Sequence, residues 1–245
     1  EEEEVEEEVE VEGEESAVHE PSAAVEPAGV ESSASPPPLA GALELYSWGQ
    51  SKNFQLGFGA HATVQPLPRP VLLPPGVRVT AVSCGHFHSA AVTSCGAVLC
   101  WGFGGTTGRL GVEIHGAESS RQCVVEPRLL PEFGAGREHR AVKATAGMAH
   151  TLVLTARGRV LSWGSNAEGQ LGVSGVPTGE QSSAPRPQLV KGELKAQDAI
   201  DIAAGQSHSL CATSSGAVLA WGSNAWGALG LGPPPSGPES ASQPQ

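Results

Sequence analysis

Aspartate, methionine and tyrosine are scarce in this chain. Only two Asp occur in 245 residues, Asp198 and Asp201, both in one strand approach, so paired-carboxylate acid–base work has little material. There is one Met, Met148, and one Tyr, Tyr46. The five cysteines (Cys84, Cys95, Cys100, Cys123, Cys211) are odd in number and contain no C-x-x-C spacing. That disfavours a disulfide framework and predicts free thiols in a reducing compartment, cytoplasmic or nuclear. No apolar run approaches the ~18–20 residues of a membrane span, and no charged-then-apolar leader opens the chain. No G-x-S-x-G, Walker loop or H-E-x-x-H is present. The expectation is a protein that is not an enzyme, needs no cofactor or metal, and binds neither membrane nor nucleic acid directly.

Basic residues are absent from residues 1–42, which contain 14 Glu. The remaining residues, 43–245, hold 12 acidic and 14 basic side chains, so the net charge of −12 belongs to a tail. Like charges repel, and apolar surface there is too sparse to offset ordering entropy, so 1–41 is expected to be disordered. The Pro/Ser/Gly-rich stretch 233–245 reads the same way.

What is present between the tails is a spaced block that occurs three times. It reads Gly-x-x-His-Ser/Thr, a Gly eight residues after the His, Trp-Gly five residues further on, and a closing Leu-Gly. The copies run from Gly85, His88 and Trp101; from Gly147, His150 and Trp163; and from Gly205, His208 and Trp221. Trp48-Gly49 to Leu56-Gly57 supplies the closing half alone. Repetition at fixed spacing means one supersecondary unit stacked on the next. The Trp-to-Trp intervals of 53, 62 and 58 residues suit a four-stranded blade with a variable loop.

Laid over one another, the copies predict a first strand ending at the leading Gly, a second from the His, and a third into the Trp. A Gly-containing hairpin joins second to third. A fourth strand is marked by Pro68-Arg69, Pro127-Arg128 and Pro185-Arg186. Proline cannot donate to a ladder, which confines this strand to the sheet edge. The predicted units are a half blade at 43–73, blades at 77–131 and 141–190, and a partial blade of three strands at 199–232.

These blocks, for example Gly147-Met148-Ala149-His150-Thr151 with Trp163-Gly164-Ser165-Asn166 and Gly169-Gln170-Leu171-Gly172, resemble regulator-of-chromosome-condensation repeats. The resemblance covers 43–232. It implies an all-β fold, a β-propeller of four-stranded blades, of which this chain holds about three and a half of an expected seven. The missing initiator Met and the mid-blade breaks at both ends predict a segment of a longer propeller, closed by further blades or by self-association. Trp48 to Gly57, with Phe87-His88-Ser89 and Gly108-Arg109-Leu110-Gly111, resembles the subgroup typified by the inhibitor of Bruton tyrosine kinase. That likeness implies a ubiquitin-ligase adaptor. The wider family implies, as an alternative, guanine-nucleotide exchange on a small Ran-like GTPase.

A residue repeated in register solves the same structural problem each time, whereas a catalytic group is needed once per site. The repeated Gly and His (Gly85, His88, Gly147, His150, Gly205, His208) therefore read as scaffold, each His pinning its own turn. Trp48, Trp101, Trp163 and Trp221 read as blade core, with Trp226 extra to the pattern. Cys84, His86 and His88 alternate, but only the His recurs, and three ligands astride a Gly turn suit zinc poorly. Partner binding is expected in the segments that do not recur: Lys52, Asn53 and Phe54; then Glu113, His115, Glu118 and Arg121; then Glu180 and Gln181.

Overall fold

The computed structural model describes residues 45–60, 63–116, 118–119, 122–232, 240–241 and 244. The expected tail 1–41 lies outside them, as does Arg121. The fold is all-β. Strands β1 (Tyr46–Gln50) and β2 (Val64–Pro70) form a two-stranded half blade. The second blade is β3 (Val79–Cys84), β4 (His88–Thr93), β5 (Val98–Phe103) and β6 (Cys123–Leu129). The third is β7 (Ala141–Ala146), β8 (His150–Thr155), β9 (Val160–Ser165) and β10 (Ser183–Leu189). The fourth is β11 (Ala199–Ala204), β12 (His208–Thr213), β13 (Val218–Ser223) and β14 (Ser240–Ala241). Within each four-stranded blade, consecutive strands pair antiparallel in chain order.

The middle strands of the second and third blades are buried along nearly their whole length, because blades cover both their faces. A continuous apolar run is what such a strand requires. Leu99, Leu110, Leu130, Val153 and Trp163 fill the space between these two blades, and Leu152, Ile202, Leu219 and Trp221 that between third and fourth.

The outer strands share one register. Val64–Gln65, Cys123–Val124, Ser183–Ala184 and Ser240–Ala241 pair with equivalent positions of the preceding strand, which end at Gly49, Gly102, Gly164 and Gly222. Pairing then jumps to Arg69, Arg128 and Gln188, four residues on against two in the partner strand. Pro66, Pro68, Pro127, Pro185 and Pro187 fall inside that bulge, where no ladder N–H is required.

Two sequence expectations change here. Gln188, not Arg186, is the counterpart of Arg69 and Arg128, since the bulge holds Pro185 and Pro187 two residues apart. The fourth blade also has an outer strand, β14, inside the stretch read as a disordered tail. Pro244 follows Ala241 at the spacing of Pro68 after Gln65, Pro127 after Val124 and Pro187 after Ala184, and it is buried. Composition marks this segment as tail, whereas the single placed proline marks it as strand.

The end faces differ from the inner ones. Val82 on β3 is 57% exposed, while the equivalent Ala144 and Ile202 are buried against a preceding blade. Trp48 is 60% exposed, which corrects its reading as core: among the described residues no blade precedes the half blade to cover the ring. At the other end Val218 is 68% exposed where Val98 and Val160 are buried. Trp226, outside the repeat, is fully exposed.

Candidate functional site

The repeated residues engage one another across blade boundaries. The carbonyl of Gln55 accepts from the Trp101 indole (2.9 Å) and the Ser89 hydroxyl (2.8 Å), both in the next blade. The Arg109 carbonyl accepts from Trp163 (2.9 Å) and Thr151 (2.8 Å) in the same way. The Gln170 carbonyl accepts from Trp221 (2.9 Å) and Ser209 (2.8 Å). His88 Nε2 lies 2.8 Å from the Thr151 hydroxyl, and His150 Nε2 lies 3.0 Å from that of Ser209. Each hydroxyl has given its one proton to a carbonyl, so the imidazole must be the donor. Both rings therefore carry a proton on Nε2, and burial keeps them neutral. Burial pushes the pKa of each down to about 3.

This arrangement corrects one expectation and extends another. The His ring does not pin its own turn, which is closed by backbone bonds from Gly85 N to His88 O and from Gly147 N to His150 O, each 2.9 Å. The ring reaches into the following blade instead. The Gly three residues before it makes room: a Cβ on Gly147 would lie 2.3 Å from His150 Cε1, and one on Gly205 would lie 2.1 Å from His208 Cε1. The Ser or Thr after each His completes the latch, a role not assigned from sequence although the repeat carries the signal. His208 is half-buried, and no following blade occurs among the described residues. His88 Nε2 is held by Thr151, which leaves only its Nδ1 to join Cys84 and His86 around a metal.

The segments nominated for partner binding divide sharply. Lys52, His115, Glu180 and Gln181 are exposed, and Asn53 is half-buried. Phe54 is only 5% exposed, so it belongs to the fold rather than to a binding surface. It occupies the position of Gly108, Gly169 and Gly227 and shares their left-handed backbone, at φ 58°. Glu118 is folded back onto its own blade, paired with Arg128 and accepting from Val125 N. Glu113 pairs with Arg186 of the next blade and with His115 (3.3 Å), which makes it an inter-blade strut. Arg109 is buried and pairs with no described acidic residue. It donates to Met148 O (2.9 Å) and Gly104 O (3.3 Å), with its guanidinium over the Phe87 and Phe103 rings.

Two models described as the regulator of chromosome condensation (RCC1) repeat match the chain, one at residues 44–92 and 157–212, the other at 141–170 and 199–227. The chain belongs to the RCC1 repeat family. Among its relatives are a human protein named probable E3 ubiquitin-protein ligase HERC6 (31% identical over 78% of this chain and 18% of that one) and human E3 ubiquitin-protein ligase HERC2 (33%, over 78% and 4%). A third is the Arabidopsis thaliana RCC1 domain-containing protein RUG3, mitochondrial (32%, over 70% and 36%). The chain thus spans between 4% and 36% of the length of these relatives. Solved RCC1-type propellers superpose on it. Human WBSCR16 does so at TM-score 0.68 and 25% identity, over 82% of this chain and 48% of that one. Yeast RCC1 (Prp20), solved bound to Kap60, does so at 0.65 and 23%, over 82% and 43%. No helix among the described residues is long and apolar enough to cross a membrane.

Proposed function

We propose that this chain is a non-enzymatic protein-interaction segment of an RCC1-repeat propeller. The observation that carries the reading is the latch. The indoles of Trp101, Trp163 and Trp221, the hydroxyls of Ser89, Thr151 and Ser209 and Nε2 of His88 and His150 are engaged across blade boundaries, which leaves recognition to residues that differ from blade to blade. Lys52, His115, Glu180 and Gln181 meet that condition and are exposed on the loops after the third strands. The open faces at Trp48 and Val82 and at Val218 support closure by further blades or by a second copy of the chain. Kinship with HERC ligases supports a role as the partner-binding part of a ubiquitin-ligase component.

The test is an affinity capture with the wild-type chain and a Lys52→Ala/His115→Ala/Glu180→Ala/Gln181→Ala variant of unchanged melting temperature. Loss of specific partners by the variant supports the assignment, and retention of all of them removes it. A fluorescent-nucleotide release assay on Ran-type GTPases addresses exchange activity. Accelerated release would replace the scaffold reading with that of an exchange factor.

A further inference from the structure

On the face opposite those loops, a cleft of about 520 Å³ opens where the second blade hands over to the third. One wall is the linker carrying Arg137, His139 and Arg140. The other is the β8–β9 hairpin with Arg157 and Arg159, and Leu189 of β10 contributes apolar surface. All four arginines are exposed. Arg140 donates to Ser94 O at 3.5 Å, a long bond at the limit of such contacts. Arg137, Arg157 and Arg159 form no ion pair with any described acidic residue, nor do Lys52, Arg69, Arg78, Lys191 and Lys195, whereas Arg128, Arg186 and Lys143 do. The acidic groups nearby are Glu138, whose carboxylate lies 3.7 Å from His139 Nε2, and Asp198, packed behind Gly158.

The cleft is not a product of the repeat. The carbonyls of Arg78, Arg140 and Asp198 accept equivalent bonds from Ser94, Ala156 and Ser214, which fixes the alignment of the three hairpins. At the positions of Arg157 and Arg159 the second blade has Cys95 and Ala97, and the fourth has Ser215 and Ala217. The linker is also held in place. Phe133 is buried against Trp163, with ring centroids 6.1 Å apart, and Gly134 N bonds His139 O at 2.9 Å. Guanidinium forks on two ordered walls present donors at separated points, which matches several carboxylates along an extended chain better than one concentrated charge.

We propose that this cleft between the second and third blades, walled by Arg137, Arg140, Arg157 and Arg159, binds an acidic peptide segment of a partner protein, a run of Asp and Glu in extended conformation. It rests on charge complementarity and on unpaired arginines, independently of the loops assigned above. The mode is charge-assisted, so binding weakens as salt rises.

The experiment is fluorescence polarisation with a labelled eight-residue peptide of alternating Asp and Gly, against the full chain at low salt. The proposal expects saturable binding that weakens at least ~10-fold in Arg157→Gln/Arg159→Gln. It expects a change within about two-fold in Arg128→Gln/Arg186→Gln, which removes the same charge from the outer strands. Equal weakening in both doubles, or no binding by the wild type, overturns it. Tighter binding of an otherwise neutral peptide bearing one phosphoserine overturns the assignment to a carboxylate run. If the cleft double fails to fold, amide-shift mapping on the wild type decides the matter. Peptide-induced shifts at 137–140 and 155–159 support the cleft, and shifts confined to other residues contradict it.

Discussion

His150 in the third blade donates through Nε2 to the Ser209 hydroxyl in the fourth, at 3.0 Å, and that hydroxyl returns to the third blade at the Gln170 carbonyl. The same donor–relay–acceptor chain runs from His88 through Thr151 to Arg109. His150 and Thr151 are neighbours in sequence, yet they serve different latches, one facing forward and one back. The His-Ser/Thr pair is thus the point where the second and third blades are each tied to both neighbours.

Stability should depend on pH through these rings. The pKa of His88 and His150 is lowered from 6.5 to about 3 in the folded chain, while the unfolded chain takes up protons near 6.5. The unfolded state therefore binds more protons between those values, and stability falls as pH drops below 6.5. The loss approaches about 1.4 kcal/mol per pH unit for each ring. Denaturant melts at pH 6.5 and 5.0, above most carboxylate titration, should show this decline. A His150→Gln variant should show a shallower one.

Trp163→Phe keeps an aromatic ring but removes the indole donor to Arg109 O, leaving that carbonyl only its Thr151 partner. A loss of about 1–3 kcal/mol is expected. Trp48→Phe, at an exposed ring, should change stability by no more than about 0.5 kcal/mol. Urea unfolding of the pair checks the contrast. Equal effects would contradict the assignment of Trp48 to an uncovered face.

Gly147→Ala places a methyl 2.3 Å from His150 Cε1 and 2.6 Å from the Gly205 carbonyl. Both neighbours are fixed, one by the latch and one by backbone. A destabilisation of about 1–3 kcal/mol follows, measurable as a lowered unfolding midpoint at unchanged m-value.

Thiol reactivity should sort the cysteines. Cys84 and Cys95 are exposed, and the Thr93 hydroxyl bonded to Cys95 Sγ lowers the pKa of that thiol. Burial pushes Cys100 up strongly and Cys211 up to about 11. Native labelling at pH 7.5 should modify Cys95 first, then Cys84. Cys100 and Cys211 should react only after unfolding.

The blade architecture was legible because each repeat copies the same packing problem, and Gly85, His88 and Trp101 return in register as its solution. Direction was not legible. The spacing ties His88 to Gly85 in sequence but says nothing of Thr151, 63 residues away in the next blade. Phe54 misled because a bulky residue in a loop reads as exposed, whereas here it fills a place that other blades give to Gly. Trp48 misled for the opposite reason, since a core motif is buried only when a neighbouring blade covers it. The arginine cleft left no mark on the repeat, because Arg157 and Arg159 come together with Arg137 and Arg140 only after the linker folds against Trp163.

The central claim is that the recurring His is a neutral structural donor and not a titrating functional group. Long-range ¹H–¹⁵N NMR of the imidazoles across pH 8 to 4.5 tests it directly. His88 and His150 are expected to keep the Nε2–H pattern throughout. Titration of His88 or His150 with a midpoint near 6.5, in the folded chain, would contradict it.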